Sequence, residues 1–158
     1  MLAIMSHDAR FSALALALPR APAPVASYAT YVEHGGLAFT SGHGPVRADG
    51  SYVFGKLGLT LDVEAGREAA RLTALAVLAT LRDRLGSFDR VERVVKILGF
   101  VNSTLEFTDH PQVIDGFSLV MRDVFGDAGV AARSAVGAPS LPRGIAVEVE
   151  AVFAVRPA

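Results

Sequence analysis

The chain contains no cysteine, which excludes a disulfide, a thiolate nucleophile and a cysteine metal site. It also lacks an excess of charge of either sign. Acids and bases are mixed along its length, and the formal net charge is −1. Without a basic stripe to neutralise phosphates, nucleic acid is not an expected partner. No apolar run reaches bilayer-spanning length, so no membrane is expected either. The four histidines, His7, His34, His43 and His110, have no metal-ligand spacing, and no metal is expected. "GKLG" and "SGHG" lack the spacing of a phosphate-binding loop, and no nucleophile elbow surrounds Ser134. These absences fit a cytoplasmic protein, which is the expectation carried forward.

What is present argues for a folded domain. Half of the 158 residues are hydrophobic against one fifth charged, a balance that disfavours disorder. That length forms one domain with a real core. The opening stretch "RFSALALALPRAPA" has the outline of a signal peptide, but Asp8 sits where a basic region belongs and the apolar run is short. It reads instead as a short helix ending at Pro19, followed by an extended proline-rich linker. Residues 1–24 are therefore an N-terminal extension and linker, and residues 25–158 the domain.

Within the domain, "YATYVEH" and "LAFTSG" read as two strands joined at Gly35-Gly36, and Asp49-Gly50 marks a second turn. Asp62 is a good N-cap for a long helix closed by Gly86. A second helix begins near Thr108 or Asp109, carries Pro111 in its first turn and ends at Gly126. Between them "RVERVVKILGFVNS" is a long strand, and two further strands flank "PSLPRG". The order predicts an α+β fold, a mixed sheet with two helices on one face.

Alternation along the last strand puts Val147, Val149, Ala151, Phe153 and Val155 on the face that suits the helices. Glu148 and Glu150 fall on the other face, among Ala146, Val152 and Ala154. A half-apolar sheet face without helices is an expected subunit interface, and carboxylates at its edge can meet a cleft. Arg133, in "AARSAVGA", offers a planar donor fork that fits a carboxylate. Its competing use is an internal ion pair with Glu148 or Glu150. Partial burial of Glu148 would raise its pKa and make it a proton acceptor; a structural hydrogen bond is the alternative, and Glu150 reads as the more structural of the two. His43, in a glycine-rich loop, is either a ligand contact or a solvated loop histidine.

At these residues the chain resembles the YjgF/RidA family of enamine/imine deaminases, also called the L-PSP endoribonuclease family. "ARSAVGAPSLPRGIAVEVEAVF" is similar to that family's C-terminal signature. "LAFTSGHGPV" is similar to its N-terminal strand and glycine loop, and "RVVKILGFVNS" to its central strand. The resemblance covers about residue 25 to the end. It implies a chorismate-mutase-like fold (bacillus type), a homotrimer with clefts between subunits, and no metal or organic cofactor. It further implies that Arg133 binds the carboxylate of a 2-imino or 2-keto acid and that Glu148 activates the hydrolytic water. Tyr28 would reach the cleft from the N-terminal strand. Ala135 replaces the cysteine of well-studied members, at a position where the backbone does most of the work, and His43 replaces a common glutamine. The longer segment after Asn102 points to a subgroup with an unassigned substrate. The implied reaction is hydrolysis of an imine to a 2-keto acid and ammonia. The competing expectations are a ribonuclease or translation inhibitor, and a non-catalytic binder or sensor of small carboxylic acids.

Overall fold

A computed structural model describes residues 5–157. Five strands, β1 (Tyr31–His34), β2 (Leu37–Thr40), β3 (Val91–Asn102), β4 (Ala132–Ala138) and β5 (Val147–Val155), form one sheet. Its order is β1-β2-β5-β3-β4. All neighbours are antiparallel except β3 and β4, which run parallel. The helices are α1 (His7–Ala13), α2 (Val63–Leu85) and α3 (His110–Phe125). The expected α+β architecture is what the chain adopts, and the short helix expected near the N-terminus forms as α1 but ends at Ala13 rather than at Pro19.

Local chemistry accounts for the boundaries. Gly35 and Gly36 take φ of 61° and 77°, the left-handed pair that a tight hairpin turn requires. The Asp62 carboxylate accepts the Ala65 N–H at 2.8 Å, satisfying one of the orphan donors at the start of α2. Gly86, at φ 77°, ends it. In α3, Pro111 occupies the first turn and Asp109 stands at the cap position without making a side-chain cap bond.

Both long helices cover one face of the sheet. Val147, Val149, Ala151, Phe153 and Val155 are buried beneath them, as the alternation predicts. Ile97 and Val101 of β3 point the same way and are buried. A methyl group on Gly99 between them would overlap Ile114 of α3. Helices α2 and α3 also pack on each other, and a side chain on Gly116 would collide with the backbone of Arg67. Residues 7–18 lie against this core rather than apart from it. Phe11 meets Phe88 edge-on, His7 meets Phe125, and Asp8 pairs with Arg82 at 2.8 Å.

The opposite face carries no helix. Val32, Phe39 and Val136 are 51%, 42% and 43% exposed there, an apolar surface on a sheet that is otherwise well covered. Among the described residues no helix is long and apolar enough to cross a membrane.

Candidate functional site

A cleft of about 370 Å³ opens at the end of this bare face. Three segments build it: the strand-to-loop stretch Ser41–Gly44, the turn before β5, and the proline-rich strap, which contributes Pro22, Ala23 and Val25 as one wall. Tyr28, His43 and Glu148 all line it, so three of the expected site residues meet in one place.

Glu148 is the chemically exposed member. Its carboxylate enters no ion pair among the described residues. Burial first, and the neighbouring charge of Glu150 second, push its pKa above the ordinary glutamate value. A half-buried carboxylate without a committed partner is the arrangement expected of a proton acceptor rather than of a structural anchor. Gly42 lies directly against it. Ser41 lines the same cleft, and its buried hydroxyl finds no partner among the described residues.

His43 lines the cleft but is not a solvated loop histidine. It is 3% exposed, and both ring nitrogens are occupied. Nδ1 faces the Ser41 carbonyl at 2.8 Å and Nε2 faces the Thr80 hydroxyl at 2.8 Å. A carbonyl only accepts, so the proton sits on Nδ1 and Nε2 accepts from Thr80. Burial lowers its pKa and keeps the ring neutral. His43 thus fixes the loop that presents Gly42, and its own N–H and C=O pair with Val149 of β5 at 2.9 and 3.0 Å.

Arg133 stands elsewhere. In the parallel register Arg133 pairs with Ile97 and Ala135 with Gly99, whereas Glu148 pairs with Phe100. Adjacent residues of β3 point to opposite faces, so Arg133 and Ala135 share the helix-covered side and Glu148 the bare side. The expected ion pair with Glu148 or Glu150 is not made. Instead Nη1 of Arg133 donates to Asp115 Oδ1 at 2.7 Å and to Ser118 Oγ at 3.1 Å, both on α3. No other side-chain hydrogen bond of this guanidinium forms among the described residues, which leaves Nε and Nη2 open at the edge of the sheet. Asp115 had no distinguishing signal in the sequence, because its role depends on α3 lying beside β4.

The cleft holds a different guanidinium. Arg143, from the "PSLPRG" loop, lines it together with Glu148, and its Cζ lies 5.2 Å from the Tyr52 ring centre. Its backbone is left-handed, at φ 58° and ψ 8°, a conformation that costs a side-chain-bearing residue roughly 1–2 kcal/mol. Among the described residues no group of three or more acidic or imidazole side chains is arranged to hold a metal ion.

The family profile described as "YjgF/chorismate_mutase-like, putative endoribonuclease" matches residues 8–154. The Trypanosoma cruzi protein TCP17 is 43% identical over 145 residues, 91% of each chain. The crystal structure of Atu1372 from Agrobacterium tumefaciens, a protein of unknown function, is 35% identical. It superposes with a TM-score of 0.87 over 95% of this chain and 92% of that one. The Escherichia coli protein TdcF, solved with bound serine, is 26% identical with a TM-score of 0.59, over 89% of this chain and 94% of that one.

Proposed function

The chain belongs to the YjgF/chorismate mutase-like family, and on that footing we propose that it hydrolyses reactive 2-imino acids, formed from enamines such as 2-aminoacrylate, to 2-keto acids and ammonia. The observation that carries this reading is Glu148, a half-buried carboxylate with a raised pKa and no internal partner, facing a cleft with Tyr28. The serine bound by TdcF is a small amino-acid carboxylate, which fits a ligand of this size and charge.

The opposite-facing positions of Arg133 and Glu148 support a site shared between copies. One copy contributes Tyr28, Gly42 and Glu148. A neighbour contributes the edge strand β4, with the Arg133 fork and the backbone at Ala135. The apolar bare face, with Val32, Phe39 and Val136 exposed, supports association of the sheets into a homotrimer, since a surface of this kind is rarely left in water.

In this site the neighbour's Arg133 holds the substrate carboxylate through two parallel hydrogen bonds, oriented by Asp115 and Ser118. Glu148 accepts a proton from water as the oxygen attacks the iminium carbon. It returns that proton to nitrogen as the C–N bond breaks, and the remaining hydroxyl proton leaves with ammonia as ammonium. The products are a 2-keto acid and ammonium, and Glu148 is regenerated. A nuclease reading has less support, because Glu148 would confront phosphate with like charge.

The test is ammonia release from imines generated in situ. Glu148→Gln should slow hydrolysis by about 100-fold or more with the fold intact, and Arg133→Ala should raise KM. Parent rates in both variants would sink the reading.

A further inference from the structure

Arg143 has no role in the reaction just described, yet it occupies the cleft where the reaction occurs. We propose that Arg143 binds a second carboxylate, on the substrate side chain, and so selects imines of acidic amino acids. This rests on the reading above, which already gives the α-carboxylate a cation in Arg133.

Three features support it. The Arg143 side chain forms no ion pair with any carboxylate among the described residues, Glu148 included. An uncommitted guanidinium lining a cleft is a planar donor fork available to a ligand. Second, the main chain around it is tied down. The Ile145 N–H reaches the Pro142 carbonyl at 3.3 Å, and the Gly144 carbonyl accepts the Gly55 N–H at 3.1 Å. Third, Arg143 and Gly144 occupy the two central positions of this turn, at φ 58° and 74°. Turns with two positive φ values favour asparagine or glycine at the first central position. A long cationic residue there is a departure from local preference, of the sort associated with function. The Tyr52 ring beneath the guanidinium narrows its range and leaves its edge nitrogens for the ligand.

The charge balance agrees. A completed site contains two guanidinium groups, Arg143 and the neighbour's Arg133, and one carboxylate, Glu148. A dicarboxylate substrate matches that set better than a monocarboxylate, which would leave the Arg143 guanidinium in the cleft without a partner. The hydrolysis is unchanged: water adds, the C–N bond breaks, and both carboxylates remain in the product.

The experiment compares 2-ketoglutarate with 2-ketobutyrate as calorimetric probes, and the imines of glutamate and 2-aminobutyrate as substrates, in parent, Arg143→Asn and Arg143→Lys. The expected result is a loss of at least about tenfold in 2-ketoglutarate affinity in Arg143→Asn, with 2-ketobutyrate changed less than about twofold. Arg143→Lys should recover part of the loss. The melting temperature of Arg143→Asn should equal or exceed the parent's, because asparagine accepts a left-handed backbone more readily. Equal losses on both probes, or none on the diacid, overturn the proposal. If the parent hydrolyses neither imine while diacid binding still depends on Arg143, the deaminase reading fails, and of this proposal the carboxylate-binding role of Arg143 stands without the imine selection. If both imines are hydrolysed and Arg143→Asn matches the parent on each, the reverse holds.

Discussion

Gly42 and Glu148 are in such close contact that a methyl group on the Gly42 α-carbon would overlap the Glu148 carboxylate. The backbone of Gly42 is not in the left-handed region, so glycine is required here for space and not for conformation. Gly42→Ala should therefore fold, with the glutamate displaced into the cleft. A shift of about 1 Å in a proton-accepting group is enough to lower the rate by about 100-fold. Imine hydrolysis and thermal denaturation check this together: a large fall in kcat with a small change in Tm is expected. An unchanged kcat would mean that the position of this carboxylate does not matter.

The raised pKa of Glu148 gives two linked pH effects. The proposed reaction needs the ionised form, so activity should fall on the acid side at a pH above the ordinary glutamate value of 4.5. Glu150→Gln removes the second cause of the shift and should move that acid limb to lower pH. Stability runs the other way. A carboxyl with a folded pKa above its unfolded value stabilises the fold below the unfolded pKa, and that contribution is lost as pH rises through the folded value. Glu148→Gln should thus melt higher than the parent at neutral pH, with the advantage vanishing below about pH 4.5. Parallel melting curves of the two proteins from pH 4 to 8 decide the matter.

Much of the fold was legible from local chemistry. Gly35-Gly36, the Asp62 cap and the Gly86 stop are decided within a few residues, and the alternation in β5 separates a greasy face from one with carboxylates. Strand β4 is different. Apart from Arg133, "ARSAVGA" is small or apolar on both faces, so alternation shows that Arg133 and Ala135 share a side without showing which side. Its register on β3 decides that, and Asp115 then replaces Glu148 as the arginine's partner. The burial of His43 is hidden for a related reason: its loop sequence looks exposed, while its hydroxyl partner, Thr80, is 37 positions away on α2. Arg143 carries no signal in the sequence, because its backbone angles and its placement over Tyr52 exist only once the chain is folded.

Thr80→Val tests the assignment of His43 as a scaffold. It removes the hydroxyl and leaves the buried Nε2 without a partner, which should cost about 1–3 kcal/mol. Because burial holds the folded pKa of His43 below 6.5, the neutral ring contributes stability above that pH, and the contribution is lost as pH falls through the folded value. His43→Gln should accordingly be less stable than the parent at neutral pH and lose less stability on acidification. Urea denaturation at about pH 7 and pH 5 measures both quantities. A histidine that merely touched the ligand would alter KM and leave these curves alone.

The division of Arg133 and Glu148 between opposite faces makes a prediction about mixtures. If each cleft takes Glu148 from one copy and Arg133 from another, two impaired variants can repair each other at substrate levels below the raised KM of Arg133→Ala. Glu148→Gln chains retain Arg133, and Arg133→Ala chains retain Glu148. After joint unfolding and reassembly at equal concentration, a cleft is intact when its two sides come from different variants in the right order. Random mixing gives about a quarter of the clefts that composition, and so about a quarter of the parent activity. A site contained in one chain gives no recovery at any ratio, because every chain carries one defect. Steady-state ammonia release, measured for each variant alone and for the mixture, separates the two arrangements without requiring a structure of the assembly.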